Sequence, residues 1–257
     1  MKKSPNLPLF IPSILVVVLV TSCSGHQPAR MSAKSYFNEG LILEQANKLE
    51  EAVESFSKAI ELDPQMAIAY EERGVAYDHL GNYEKAILDY SQAIQLDPNL
   101  SIAYFDRAVV FYKLQKLDEA LNDYSKAAEL DPQMVYAFIN QADILLTLSE
   151  FEQSVQEATR AIQIDPDASD AFAVRATALS RLERFEEAFA DYEKAIALNP
   201  KNVNLYMIRG IEYAISGQPE LALIDLETYL ELNPDSPEKY RIKLMIQQLK
   251  NDIATGQ

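Results

Sequence analysis

The stretch KAIELDPQMAIAY, residues 58–70, decides how the whole chain is read. A run of helix formers, Lys58 to Leu62, meets Asp63-Pro64, and an apolar run resumes within three residues. AIQLDP returns at 93–98, AAELDP at 127–132, AIQIDP at 161–166, AIALNP at 195–200 and YLELNP at 229–234. Pro64, Pro98, Pro132, Pro166, Pro200 and Pro234 are thus spaced by 34 residues throughout. Proline disfavours the α region for the residue before it, so Asp63 leaves the helix. Its missing N–H is harmless near the start of the next helix. Asp-Pro is a stop between two helices and needs no chemistry to explain it.

A fixed period of this length points to stacked units in place of one large core. The units are 33–66, 67–100, 101–134, 135–168, 169–202 and 203–236. Within 67–100, Tyr70, Arg73, Gly74 and Tyr77 fall at i, i+3, i+4 and i+7, and Ala86, Tyr90 and Ala93 at i, i+4 and i+7. Two amphipathic helices follow from that spacing. Between them Gly81 is suited to a helix end at positive φ. The fourth place of the units is aromatic (Tyr36, Tyr70, Tyr104, Phe138, Phe172, Tyr206), and the eighth is small (Gly40, Gly74, Ala108, Ala142, Ala176, Gly210). Small places let paired helices approach, and large aromatics fill the space left.

This pattern resembles the tetratricopeptide repeat over 33–236. The resemblance implies an all-α, right-handed superhelical solenoid of six helix-turn-helix units. Ser236 as cap and Pro237 as first residue open a capping helix over 237–257. Its apolar stripe is Ile242, Met245, Ile246, Leu249 and Ile253. Unit four departs from the pattern with Ser154 and Ala158, which predicts thinner packing there.

The first 22 residues are of another kind. Lys2 and Lys3 precede the apolar run Leu9–Val20, which is short for a bilayer span and suits the apolar part of a secretory signal. Val20-Thr21-Ser22-Cys23 resembles the lipobox of bacterial lipoproteins. That resemblance implies cleavage before Cys23 and a diacylglycerol on its sulfur, with 23–32 as lipidated cysteine and tether. Cys23 is the only cysteine, so no internal disulfide forms. Ser24 after the cysteine points to the outer membrane, facing the periplasm. In a cell with one membrane the chain would lie on its outer face.

Charge narrows the partners. The chain has 23 basic and 39 acidic residues, a formal charge of −16. Without residues 1–22 it keeps 21 basic against 39 acidic residues, or −18. Phosphate contacts need clustered positive charge, so nucleic acid is not expected as a partner. A protein partner and a membrane reached through lipid are. Catalytic residues, cofactor and metal are all expected to be none. DPDASD at 165–170 begins like a calcium loop, but its sixth place is Asp170 and its twelfth Ala176, where glycine and glutamate are required. His79 has no second histidine nearby in sequence. There is no Gly-rich phosphate loop and no Gly-x-Ser-x-Gly.

Two sets of residues remain. Arg73, Arg107, Arg175 and Arg209 share the seventh place, and Asp89, Asp123, Asp191 and Asp225 the twenty-third of the same units. They read as structural ion pairs between the two helices. In the tetratricopeptide family the first helix of each unit lines a concave wall. Its outward places hold Ile68, Ile102, Phe105, Val109, Tyr112, Tyr136 and Ile139 as a partner-binding groove. Some family members grip C-terminal carboxylates with Lys and Asn there; Phe37, Leu41 and Glu72 stand at the matching places, so that clamp is absent. The reading is a non-catalytic, membrane-anchored interaction scaffold of the cell envelope. Size and layout resemble pilotins that assist secretin assembly and adaptors that recruit peptidoglycan hydrolases. An envelope enzyme or small-ligand receptor would need titratable groups converging in one pocket.

Overall fold

The computed structural model describes residues 31–255. These residues form thirteen helices and no strand. In chain order they are α1 (Ala33–Gln45), α2 (Leu49–Leu62), α3 (Ala67–His79), α4 (Tyr83–Leu96), α5 (Ser101–Lys113), α6 (Leu117–Leu130) and α7 (Val135–Thr147). Then come α8 (Phe151–Ile164), α9 (Ser169–Arg181), α10 (Phe185–Leu198), α11 (Asn204–Ile215), α12 (Pro219–Leu232) and α13 (Lys239–Thr255). Each helix packs on the next, and six helix pairs followed by α13 make an all-α solenoid. Neighbouring first helices also touch: α1 with α3, α3 with α5, and α7 with α9. Tyr112–Asp143 links α5 to α7 and Arg181–Glu212 links α9 to α11, so the first helices form one continuous wall.

The Asp-Pro phrase does more than stop a helix. Asp63 has φ −138° and ψ 87°, and its Oδ1 accepts from the Gln65 N–H at 3.1 Å. Asp97, Asp131 and Asp165 accept in the same way from Asn99, Gln133 and Asp167 at 3.0 Å. A carboxylate bonding the backbone two residues on builds a turn, while proline sets the chain direction. Within the pairs, Gly81 sits at φ 74° between α3 and α4. Asn82 N–H closes back on Tyr77 O, six residues apart counted inclusively, the pattern of a left-handed helix cap. The corresponding residues Asn47, Gln115, Ser149 and Glu183 adopt the same positive φ without being glycine.

Packing between paired helices rests on small against large. A Cβ on Gly74 would lie 2.7 Å from Tyr90 Cε1, and one on Gly40 would lie 2.5 Å from Phe56 Cε1. Tyr90, Tyr124, Tyr192 and Phe56 are fully buried in these slots. Each such ring contributes on the order of 2–3 kcal/mol by burial. Unit four has Ala158 in that slot. Its Ser154 hydroxyl is buried and donates to Ala142 O at 2.7 Å, and α7 compensates by burying Phe138, Ile139, Ile144 and Leu145. A cleft of about 720 Å³ nevertheless opens beside Phe138, Gln141 and Glu157.

One boundary differs from expectation. The capping helix begins at Lys239, and Pro237-Glu238 form a turn before it. Ser236 Oγ accepts from the Glu238 N–H at 3.0 Å, the cap bond expected of it, and also bonds the Tyr229 hydroxyl at 2.6 Å. Ile242, Ile246 and Leu249 close the core cluster of Tyr213, Leu226 and Tyr229.

Candidate functional site: the wall of first helices

The arginine–aspartate places are geometrically uniform. Arg73 Nε donates to Asp89 Oδ2 at 2.7 Å and Nη2 to Oδ1 at 2.8 Å. Arg107–Asp123, Arg175–Asp191 and Arg209–Asp225 repeat those two distances. A bidentate fork fixes both the distance and the rotation of one helix against its partner. Sequence reading missed the third arm. Nη1 of Arg73, Arg107 and Arg175 donates to Ser57, Ser91 and Thr159 of the preceding unit, at 3.0, 2.9 and 3.2 Å. Each hydroxyl in turn donates to the carbonyl four residues back. The ladder therefore couples units as well as helices. Its signal was present as Ser57, Ser91, Ser125 and Thr159 at one place of the repeat. In unit four Gln141 accepts from Ser125 at 3.1 Å, and Glu157 pairs with Arg160.

The proposed groove residues divide. Ile68, Ile102, Tyr112 and Tyr136 stand exposed on α3, α5 and α7, with Tyr136 at 63%. The Tyr112 hydroxyl donates to Asp143 of the next first helix at 2.8 Å. Phe105 and Val109 are half-buried: Phe105 sets its ring edge-on to Tyr124 at 5.4 Å, and Val109 joins the cluster of Tyr124 and Ile144. Ile139 is only 6% exposed and packs with Phe138, Ala128 and Ala171, and it lines a cleft of about 580 Å³ together with Tyr136. Cys23 and the segments 1–22 and 23–30 lie outside the described residues.

The sixth place of the units, read from the sequence only at Glu72, faces the same wall. It holds Asn38, Glu72, Asp106, Asn140, Val174 and Ile208 in order. The wall thus changes character along its length. Toward α11, Leu146, Val174, Ile208 and Ile211 line a cleft of about 410 Å³. At the other end Glu44, Glu71, Glu72 and Asp106 converge from α1, α3 and α5. Glu71 is 4% exposed. Burial, then a hydrogen bond shared with Asp106, raises the Glu71 carboxyl to about 9. Burial also raises Asp106 to about 6 and Glu72 to about 7, and it raises Glu44. Burial and the neighbouring carboxyls thus make each of these acids hold its proton to higher pH than it would in water.

Paired helices repeated in register, with a continuous side-chain wall, define an α-solenoid of the interaction-scaffold class. Residues 37–101, 101–134 and 175–247 match three family models, each described as tetratricopeptide repeat. The chain belongs to the tetratricopeptide repeat family, and its repeats mark a protein–protein interaction scaffold. Among solved structures it is similar to YrrB, described as a TPR protein with an unusual peptide-binding site. That match has 21% identity, 77% of this chain, 99% of that one and a TM-score of 0.64. It is similar to Pseudomonas aeruginosa pilF at 18% identity, over 86% of this chain and 97% of that one, with a TM-score of 0.70. A tetratricopeptide repeat protein from Parabacteroides merdae matches at 17% identity over 85% and 92%, with a TM-score of 0.67. At these identities the likeness is one of fold. No curated protein matches the chain.

Proposed function

We propose that this is a non-catalytic, lipid-anchored scaffold of the bacterial envelope that docks a partner polypeptide along its first helices. The observation that carries the docking is the wall itself. Ile68, Ile102, Tyr112 and Tyr136 stand exposed on α3, α5 and α7, and the later first helices α7, α9 and α11 line the apolar cleft at Ile208 and Ile211. An apolar strip with an acidic end suits an amphipathic or extended segment of opposite charge. Anchoring rests on the sequence Val20-Thr21-Ser22-Cys23. With two or more acyl chains, at about 0.8 kcal/mol per buried CH₂, attachment would be stable.

Pilotin-like and hydrolase-adaptor roles are narrower forms of this reading. The likeness to pilF, over nearly all of that chain, is one of architecture and favours neither form. An envelope enzyme would draw on the convergence of Glu71, Glu72 and Asp106. We take the non-catalytic reading because Glu71, the member most strongly held protonated, is nearly sealed from solvent and so from a substrate. Two measurements test the proposal. Mass spectrometry of the chain from native membranes should find an N-terminus at Cys23 carrying lipid. An intact Met1 with a free thiol refutes the anchor. Tyr112→Ala with Tyr136→Ala should abolish partner capture with an unchanged melting temperature. Loss of the fold would place both rings in the core.

A further inference from the structure

We propose that the cleft of unit four, between α6 and α8, receives an arginine side chain from a partner polypeptide. This goes beyond the docking reading above, because none of the exposed wall residues Ile68, Ile102, Tyr112 and Tyr136 lines the cleft.

The other units show what such a site holds. Beyond its aspartate and its Ser or Thr, each ladder arginine stands over the ring at the fourth place of its unit. Arg73, Arg107, Arg175 and Arg209 lie 5.6, 5.8, 5.5 and 6.0 Å from the ring centroids of Tyr70, Tyr104, Phe172 and Tyr206. Unit one lacks a ladder arginine, and there Lys58 Nζ lies 5.7 Å from the Tyr36 ring. Unit four keeps the partners without the cation. Phe138, Glu157 and Ser125 stand at the ring, acid and hydroxyl places, and all three line the cleft of about 720 Å³. Among the described residues no basic group stands over Phe138. Gln141, at the arginine's place, is buried and turned to α6, where its amide bonds Ser125 Oγ at 3.1 Å and Tyr124 O at 3.4 Å. Glu157 on α8 is left to Arg160, which reaches one of its oxygens at 3.1 Å from a side chain 62% exposed.

A guanidinium is the group these partners fit. Its flat face stacks on an aromatic ring while its edge bonds a carboxylate and a hydroxyl in one plane, as it does in the intact units. An ammonium group is a point charge and cannot present that fork. The cleft lies within the range of about 300–1,000 Å³ usual for ligand sites, and it extends past the place of the guanidinium. Gln133 and Gln163 line the remainder. Their amides both donate and accept, which matches the main chain on either side of an incoming arginine. Charge agrees: Glu129 and Glu157 outnumber Arg160 in the lining.

The probe is N-acetyl-arginine N-methylamide, one arginine with a peptide bond on each side, and its citrulline counterpart is the uncharged isostere. Added at millimolar concentration to the full chain, the arginine probe should shift the backbone amide NMR signals of Ser125 and Phe138 saturably. The citrulline probe should bind about tenfold more weakly or less, and Glu157→Gln should weaken the arginine probe by about tenfold in a folded protein. Gln141→Arg supplies the guanidinium from the chain itself. It should raise the melting temperature and abolish probe binding; Glu157→Gln decides alone if that variant fails to fold. Tyr112→Ala with Tyr136→Ala should leave probe binding unchanged, which keeps this site separable from the wall. No binding, equal binding of both probes, or unchanged affinity in Glu157→Gln would overturn the proposal. Binding that appears only in Arg160→Gln would give the cleft to Arg160 and overturn it as well. Free arginine binding as tightly as the blocked residue would make the occupant a small molecule and overturn the polypeptide.

Discussion

Asp123→Asn tests whether the arginine ladder holds the pairs in register. Asp123 Oδ1 and Oδ2 accept from Arg107 Nη2 and Nε at 2.8 and 2.7 Å, and both side chains are largely buried, at 10% and 19% exposure. Asparagine keeps one acceptor and removes the charge. Arg107 then retains its bond to Ser91 and its position over the rings of Tyr104 and Phe111, each at 5.8 Å. Breaking a fully buried pair costs about 3–5 kcal/mol. The residual exposure of Arg107 and its remaining contacts bring the expected loss to about 2–3 kcal/mol. For an array of this size that is a drop of roughly 5–10 °C in melting temperature. Arg107→Leu should cost a similar amount, and the double variant Arg107→Leu/Asp123→Leu less than the sum, since no charge is left unpaired. Thermal and urea denaturation followed by circular dichroism measure all three. Additive losses, or a melting temperature within 1 °C of wild type for Asp123→Asn (about 0.3 kcal/mol), would refute the pairing argument.

Three further outcomes follow from the geometry. Gly74→Ala gains about 1 kcal/mol of helix propensity but drives a Cβ to 2.7 Å from the buried Tyr90 ring. Overpacking of about 1–3 kcal/mol should win, and an equal or higher melting temperature would contradict it. Glu183→Gly relieves a left-handed residue at φ 61° and should stabilise by about 0.5–1 kcal/mol in urea titrations; a loss would show that Glu183 has another role. For Glu71→Gln the sign depends on pH. The Glu71 pKa is raised from 4.5 to about 9, so its contribution to stability is full below pH 4.5 and is lost as pH rises to about 9. The groups facing it are Glu44 on α1, Glu72, Asp78 and His79 on α3, Tyr90 on α4, and Asp106 and Lys113 on α5. Glu71→Gln should therefore stabilise the fold at pH 8, by about 1–3 kcal/mol, and leave the stability unchanged at pH 4, as read by melting at the two pH values. The same gain at both pH values would remove Glu71 ionisation as the cause.

Much of the fold was legible because each unit repeats the same local physics. Pro64 and its successors mark the helix stops, and the Gly74–Tyr90 slot recurs as small against large. The Arg–Asp places were legible for the same reason, since Arg107 never appears in the repeat without its Asp123 counterpart. Two parts were not. Ile139 sits at a groove place by period, yet most of its surface is taken up by packing with Phe138, Ala128 and Ala171, which only the stacked units bring together. The acid cluster joins residues from three units, and only stacking shows that Glu44, Glu71 and Asp106 share one space. Periodicity reports what repeats; Glu71 and Glu44 do not.

The central claim is that the wall of first helices is where a partner sits. Site-specific photocrosslinking in native membranes tests it most directly, with the probe at Ile102 or Tyr136 on the wall and at Leu88 on α4 as a more exposed control. The account predicts one discrete partner captured at Ile102 and Tyr136 and none at Leu88. Capture at Leu88 equal to that at the wall, or no capture at either wall position, would contradict it.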